Sequence, residues 1–350
     1  MIERITDADV WTALQNEERP IFLYGMGLGA EKILAEFEQH NIKAEGIFAS
    51  DEFVRGHSFK GYLVQKYSDI CAQYDDFCVV LCFATRLDNV LDNIRKINSR
   101  HTVYAPDVPV AGDGLFTQEF VAQHDDEFEY IYNNLADEES KRVYLDVIRY
   151  KVSGKIGYLL DTFAEKDEIY SNILRLGDNE NIIDLGAYDG DTVQEFIMAT
   201  GNKYRHITAL EPDPKNYKKL VRNVGELPNI SCINMGAWDK KDTLIFSAQA
   251  GRNSRLSGTG NTVEVTDIDS LNIPATFIKM DVEGSELKAL KGAENTIVTH
   301  SPKLYVCAYH RNEDLFVLPK TIWSFCKDYK IYFRHSKYIP AWESNFYCVI

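Results

Sequence analysis

The sequence predicts an α/β chain organised around a Rossmann-like, mostly parallel sheet, with a smaller α/β unit in front of it. Three observations carry that prediction. The stretch Ile182-Ile183-Asp184-Leu185-Gly186-Ala187-Tyr188-Asp189-Gly190-Asp191-Thr192 reads as a buried strand, a tight glycine turn and the start of a helix. The strand His206-Ile207-Thr208-Ala209-Leu210 follows it and ends in Glu211-Pro212-Asp213. A second strand, glycine turn, helix and strand occur in the same order near the N-terminus, within residues 19–104.

Length and composition set the frame. A chain of 350 residues is long enough for two domains of about 150 residues each. It is 45% hydrophobic and 26% charged, ordinary for a globular protein. The net charge of −15 gives no general attraction for phosphate backbones, so nucleic acid is not expected as the partner. The charged N-terminus has no signal-peptide core, and no apolar run approaches the ~20 residues of a membrane span, so a cytoplasmic location is expected. None of the seven cysteines forms a C-x-x-C pair, and buried thiols are the expected reading for Cys71, Cys78 and Cys82.

In chain order, residues 20–24 read as a strand, Gly25-Met26-Gly27-Leu28-Gly29-Ala30 as a glycine turn, residues 31–40 as a helix and residues 44–48 as a second strand ending near Asp51. Gly25, Gly27 and Ala30 fit a GxGxxA dinucleotide fingerprint, with Asp51 at about the distance of a ribose carboxylate. The unit is short, half of a dinucleotide site, and a structural or substrate-presenting part is the favoured reading. Residues 115–176 read as mostly helical, clearest over 138–150, where Val143, Tyr144, Val147 and Ile148 recur at helical spacing before Gly154 and Gly157. Tyr158, Phe163 and Tyr170 are expected in core packing rather than at a substrate mouth.

At the organising stretch, Gly186 and Gly190 permit a sharp bend and close approach of a ligand, and Asp191 or Thr192 is expected to cap the helix over 193–199. The terminal carboxylate of Glu211 suits ribose hydroxyls. Asp184 adds a negative charge where a pyrophosphate would be repelled and an amine-bearing ligand favoured. A helix is expected over 214–224, a strand over 230–235, and then Gly236-Ala237-Trp238, where Gly236 and Ala237 leave room for an adenine. A two-stranded excursion over 243–266 carries a loop, 249–260, whose Arg252 and Arg255 suit an anionic part of a substrate. Strand 276–281 turns charged at its end, with Lys279, Asp281 and Glu283 alternating, and leads into a helix over 286–299. Strand 303–309 ends at His310, which places His310 at the same edge as Asp281. A helix over 319–329 and two strands close the chain.

The blocks 184–192, 210–213 and 277–293 (FIKMDVEGSELKALKGA) resemble the FkbM family of class I methyltransferases. The resemblance covers roughly 170–350, and KMDVEGSE is its specific part. It implies a class I methyltransferase domain with a mostly parallel seven-stranded sheet over 177–350, after an N-terminal α/β domain (1–110) and a helical connector (111–176). It implies S-adenosyl-L-methionine as cofactor, held by Asp184, Gly186, Ala187, Asp189, Gly190, Glu211 and Pro212, with Gly236 and Ala237 at the adenine and Trp238 either covering it or packing against the sheet. The acceptor would be a hydroxyl of a sugar or a small natural-product or polysaccharide precursor. The turn departs from the more usual family form by carrying Tyr188-Asp189 before Gly190.

Methyl transfer from a sulfonium needs alignment of donor and acceptor, and a hydroxyl acceptor needs a base. His310 is the first candidate because its reference pKa is near neutrality. Asp281 is the second, with Glu283 and Lys279 completing the pocket. Asp281 and Glu283 are oxygen ligands of the kind Mg²⁺ takes, but no metal is expected. Two other functions fit parts of the sequence: an NAD(P)- or sugar-nucleotide-binding enzyme using the N-terminal glycine turn, and a non-catalytic scaffold of methyltransferase fold.

Overall fold

The structure, a computed structural model, describes residues 1–247, 255–256 and 261–350. The N-terminal strands are β1 (Ile21–Tyr24), β2 (Gly46–Ala49), β3 (Ser58–Phe59), β4 (Tyr62–Lys66), β5 (Cys78–Leu81) and β6 (Thr102–Tyr104). They form one sheet in the order β3-β4-β2-β1-β5-β6, parallel except where β3 meets β4. Alternation along β1 sorts its side chains between two layers. Ile21 and Leu23 pack with Trp11, Ile33 and Phe37, while Phe22 and Tyr24 pack with Leu91 and Ile94 on the other face.

The first glycine turn is explained largely by packing. A Cβ on Gly29 would lie 2.1 Å from the Cys82 carbonyl oxygen, and one on Gly25 would lie 2.4 Å from the Phe83 ring. The helix after the turn, Leu28–Gln39, starts three residues before the expected position, with Gly27 as its N-cap. Asp51 accepts a hydrogen bond from the Ser68 N–H (3.3 Å).

The rest of the chain supplies β7 (Phe163–Ala164), β8 (Asn181–Leu185), β9 (His206–Leu210), β10 (Ile230–Ile233), β11 (Gly236–Ala237), β12 (Asp242–Ser247), β13 (Arg255–Leu256), β14 (Asn261–Thr266), β15 (Phe277–Met280), β16 (Lys303–Cys307), β17 (Lys330–Ser336) and β18 (Ser344–Val349). The second sheet has the order β10-β9-β8-β15-β16-β18-β17-β7, and only β18 runs against its neighbours. Seven of these strands are the expected sheet. The eighth, β7, comes from the helical connector and covers part of the open edge of β17, pairing Phe163 with His335 and Ala164 with Ser336. The expected two-stranded excursion is part of a four-stranded sheet, β11-β14-β12-β13. Of the arginine-bearing loop expected over 249–260, residues 249–254 and 257–260 lie outside the described residues, so Arg252 is not described and Arg255 is described only as part of β13.

Several helices differ from expectation for local reasons. Helix Asp191–Ala199 has Gly190 at its N-cap, in the left-handed region (φ 91°), and no side-chain cap, because the Thr192 hydroxyl donates instead to Asp184. The helix expected over 286–299 is two, Glu286–Lys291 and Glu294–His300. They break at Gly292, whose carbonyl accepts the Ile268 and Asp269 N–H groups and whose missing Cβ would sit 1.9 Å from the Trp238 carbonyl oxygen. Helix Asp314–Phe325 contains Pro319. Proline frees the carbonyl four residues earlier, and that carbonyl, of Leu315, is taken by the buried Tyr144 hydroxyl (2.9 Å).

Helix Glu138–Ser153 matches its apolar spacing and ends at Gly154 (φ 66°). Its Val143, Tyr144, Val147 and Ile148 belong to one continuous core that holds Phe48 and Leu91 of the first sheet together with Ile278, Val306 and Phe346 of the second. The Tyr150 hydroxyl donates to the Ala105 carbonyl just after β6 (2.8 Å). Tyr170 is buried, as expected of core packing. Among the described residues no helix is long and apolar enough to cross a membrane.

Candidate functional site

A cleft opens at the carboxyl ends of β8, β9, β15 and β16, where ligands sit in open parallel sheets. The turns after β8 and β15 approach each other closely there. A Cβ on Gly186 (φ 80°) would lie 1.8 Å from the Asp281 carbonyl oxygen, so strand packing alone requires this glycine. Gly190 faces away from the cleft, against Leu220 and Val224 of helix Pro214–Val224. That helix is capped by Asp213, whose carboxylate accepts the Lys215 and Asn216 N–H groups, with Pro214 in its first turn.

At one end of the cleft is Glu211, only 5% exposed. Its two carboxylate oxygens each accept one backbone N–H, from Tyr188 (2.9 Å) and from Asp213 (2.8 Å). Burial raises its pKa to about 7, against the pull of those two donors. Each oxygen retains a lone pair that could accept a ribose hydroxyl. Gly236 and Ala237, beside it, also line the cleft.

Between the two ends lies a buried ion pair. Lys279 stands opposite Asp184 in the parallel register of β15 and β8. Its ammonium lies 3.2 Å from the Asp184 carboxylate and 3.8 Å from that of Asp281, and donates to the Gly186 carbonyl (3.0 Å). Burial works against the charge on Lys279, but Asp184 and Asp281 outweigh it and hold its pKa above the usual range. Asp184 is fully buried, so it braces the cleft from behind.

At the far end His310 is surrounded by carboxylates. Its Nδ1 is 2.9 Å from Glu286, and its Nε2 is 3.5 Å from Glu283 and 3.6 Å from Asp281. Burial disfavours the imidazolium, but Glu286, Glu283 and Asp281 together raise the His310 pKa to about 10. The expectation that His310 titrates near neutrality is therefore corrected: in this cluster it is a cation at pH 7. Glu283 moves the other way from an ordinary carboxylate. Burial, reinforced by Asp281 and Glu286 and opposed by His310, raises its pKa to about 8. For Asp281, burial is outweighed by Lys279 and His310, which hold its pKa below the usual carboxylate range, and the Tyr309 hydroxyl donates to it (3.2 Å). Glu283 does not cap the following helix. It sits in a turn at φ 54°, and Glu286 accepts the Val282 N–H (2.9 Å).

Asp281, Glu286 and His310 offer ligand atoms within 4.8 Å of one another, and one Glu286 oxygen is buried with no hydrogen-bond partner among the described residues. A divalent cation could be held there.

The structure thus brings Lys279, Asp281, Glu283 and His310 to one wall of the cleft and Gly186, Glu211, Pro212, Gly236 and Ala237 to the other. It does not bring Asp184, Ala187, Asp189, Gly190 or Trp238 to the cleft surface. Asp189 is tied by its carbonyl to the Asn223 side chain (2.8 Å), and Trp238 lies under the Lys288 ammonium, 5.3 Å from its ring centroid. The sequence reading assigned no role to Glu286. The available signal was a carboxylate in the first turn of a helix that follows a charged strand end, a position suited to accepting orphan N–H groups. Arg86, Val110 and Lys166, which also line the cleft, come from outside the second sheet, and nothing local in sequence marks them.

Residues 184–331 match the family described as Methyltransferase FkbM domain. The chain is similar to the crystal structure of a methyltransferase FkbM from Methylobacillus flagellatus KT, with 22% identity over 97% of this chain and 92% of that one and a TM-score of 0.70. It also matches a precorrin-6y C5,15-methyltransferase from Geobacter metallireducens GS-15, at 13% identity over 54% of this chain and 93% of that one with a TM-score of 0.34. Aeropyrum pernix fibrillarin, in complex with natively bound S-adenosyl-L-methionine, matches at 11% identity over 53% of this chain and 73% of that one, with a TM-score of 0.33. No curated protein sequence matches the chain.

Proposed function

We propose, for a chain whose residues 184–331 form an FkbM methyltransferase domain, that it is an S-adenosyl-L-methionine-dependent O-methyltransferase. Its acceptor is a hydroxyl of a sugar or of a small natural-product or polysaccharide precursor. The observation that carries this reading is a single cleft with a buried, backbone-held carboxylate, Glu211, at one end and the His310 cluster at the other.

When bound, the cofactor supplies a methyl group already activated by its sulfonium. The chain's own part is to hold both reactants and to manage one proton. Glu211 accepts ribose hydroxyls, and Gly236 and Ala237 leave space for the adenine. Asp184 acts through Lys279 rather than by touching the cofactor, because the pair fixes the Gly186 carbonyl at the turn. At the acceptor end the proton of the hydroxyl passes to Glu283 rather than to His310, which is already protonated. Glu283 is the most exposed member of the His310 cluster, and near pH 8 its carboxylate is half ionised. His310 keeps the surrounding carboxylates in place and balances the charge that the transfer leaves. The division into residues 1–110, 111–176 and 177–350 is part of this proposal, with the first two supporting the third.

The test is a thermal-shift panel with S-adenosylhomocysteine, NAD and UDP-sugars on wild type and Glu211→Ala. Ligand at 100 times its dissociation constant stabilises a fold by about 2.7 kcal/mol. The expected result is a shift with S-adenosylhomocysteine that Glu211→Ala abolishes. Stabilisation by NAD or a UDP-sugar alone would overturn the reading and move attention to the N-terminal glycine turn.

A further inference from the structure

One cation of the cleft is brought there by the other sheet. Arg86 lies in the loop between β5 and helix Asp88–Asn98 and lines the cleft with its side chain exposed. The backbone on both sides of it is pinned. Thr85, 6% exposed, exchanges two hydrogen bonds with Ile339 of the second unit, Thr85 N–H to the Ile339 carbonyl at 2.7 Å and the reverse at 3.0 Å. The Leu87 N–H donates to the Thr85 hydroxyl (3.2 Å), and Asp88 is ion-paired with Lys337. Among the described residues no hydrogen bond or ion pair engages the Arg86 guanidinium, in a chain with 53 acidic residues.

The segment that pins the loop also brings two aromatic rings to the same cleft. Tyr338 and Trp342 lie 5.8 Å apart between centroids at an interplanar angle of 30°. Aromatic faces take the apolar face of a sugar ring, and a guanidinium pairs bidentately with a planar or tetrahedral oxyanion. The other cations that line the cleft are already paired, Lys279 with Asp184 and Asp281, His310 with Glu286, and Lys166 with Glu195. An acceptor carrying both a hydroxyl and an oxyanion would therefore lie in one direction only, with its charge on Arg86 and its hydroxyl toward Glu283.

We propose that Arg86 reads an oxyanion, carboxylate or phosphate, on the acceptor, so that the substrate class is an acidic or phosphorylated saccharide and the N-terminal sheet is a specificity element of the catalytic cleft. This rests on the saccharide-hydroxyl reading above and narrows it.

The test is calorimetric titration of the full-length protein with glucuronic acid, glucose 6-phosphate and neutral methyl glucoside, each with and without saturating S-adenosylhomocysteine. One acidic sugar should bind about tenfold or more tighter than the neutral one, the size expected of a charge-assisted pair. Which of the two does so identifies the oxyanion. Arg86→Gln should remove that preference while leaving S-adenosylhomocysteine affinity unchanged, and Arg86→Lys should restore part of it. Equal binding of acidic and neutral sugars, binding of none of the three, or a preference that survives Arg86→Gln overturns the proposal. Failure of S-adenosylhomocysteine to bind instead removes the donor reading, and the titrations without it still report on Arg86.

Discussion

His310 and Glu286 face each other at 2.9 Å with both side chains closed off from solvent. Glu286 is the largest of the influences that raise the His310 pKa. Replacing Glu286 by Gln keeps an oxygen for the Val282 N–H and removes only the charge. We expect the His310 pKa to fall well below about 10 in Glu286→Gln, followed by NMR of the imidazole. At neutral pH the fold should lose about 1–3 kcal/mol, as when a buried charged group loses its partner. An unchanged His310 titration would contradict the assignment.

Stability should decline as the solution becomes alkaline. His310 has its folded pKa raised to about 10, so its contribution is complete below about 6.5 and is lost as pH rises through 10. Glu211 and Glu283 are carboxylates raised to about 7 and about 8, so they also bind more protons folded than unfolded, and their contribution is lost between about pH 4.5 and 8. All three act in one direction. Melting temperatures measured from pH 6 to 9 should fall in wild type and fall less in Glu283→Gln.

If Glu283 takes the acceptor proton, kcat/KM should rise with pH along a limb centred near its pKa of about 8. Glu283→Gln should lower kcat by about 10²-fold or more and abolish that limb. A limb that persists in the variant would transfer the role to another group of the cluster.

The Lys279–Asp184 pair has both members out of solvent. Lys279→Met should cost about 3–5 kcal/mol by stranding the Asp184 charge. The double variant with Asp184→Asn should recover part of that loss in urea denaturation. Equal losses in the single and double variants would mean that the pair is not coupled.

Two glycines should respond very differently to alanine. Gly186→Ala meets both a left-handed backbone and a carbonyl oxygen 1.8 Å away, so a loss of about 3 kcal/mol or more is expected. Gly27→Ala, at φ 98° and ψ −158°, has nothing within 4 Å, and should cost only the conformational penalty of that glycine-favouring region, about 1–3 kcal/mol. Equilibrium unfolding of both variants makes the comparison.

What the sequence disclosed was local. The strand–turn–helix at 182–192 was legible because β-branched residues, two glycines and a polar helix start stand next to one another. Glu211 was legible as the acid that ends the next strand, and the helix after it as the run over 214–224, though not its Asp213 cap. The Lys279–Asp184 pair was not legible, because it depends on the register of two strands 95 positions apart, 184 to 279. His310 could be placed near Asp281 by strand order, but its protonation depends on Glu286, which reaches it through a turn. Arg86 could not be placed at all, since it arrives by the docking of one sheet on another.

The turn at Glu283-Gly284 has a further consequence. A Cβ on Gly284 would lie 2.7 Å from the Ala111 side chain, the Ala111 N–H donates to the His310 carbonyl (2.9 Å), and the Arg311 side chain donates to the Gly284 carbonyl (2.7 Å). The stretch after β6 is therefore a buttress of the Glu283-Gly284 turn rather than a tether. A chimera that exchanges the front unit at a cut before residue 110 would keep its own buttress while replacing Arg86, whereas a cut after 114 would import a foreign buttress as well. A cut that spares this contact lies upstream of Ala111, where a linker chosen by composition alone would not be sought.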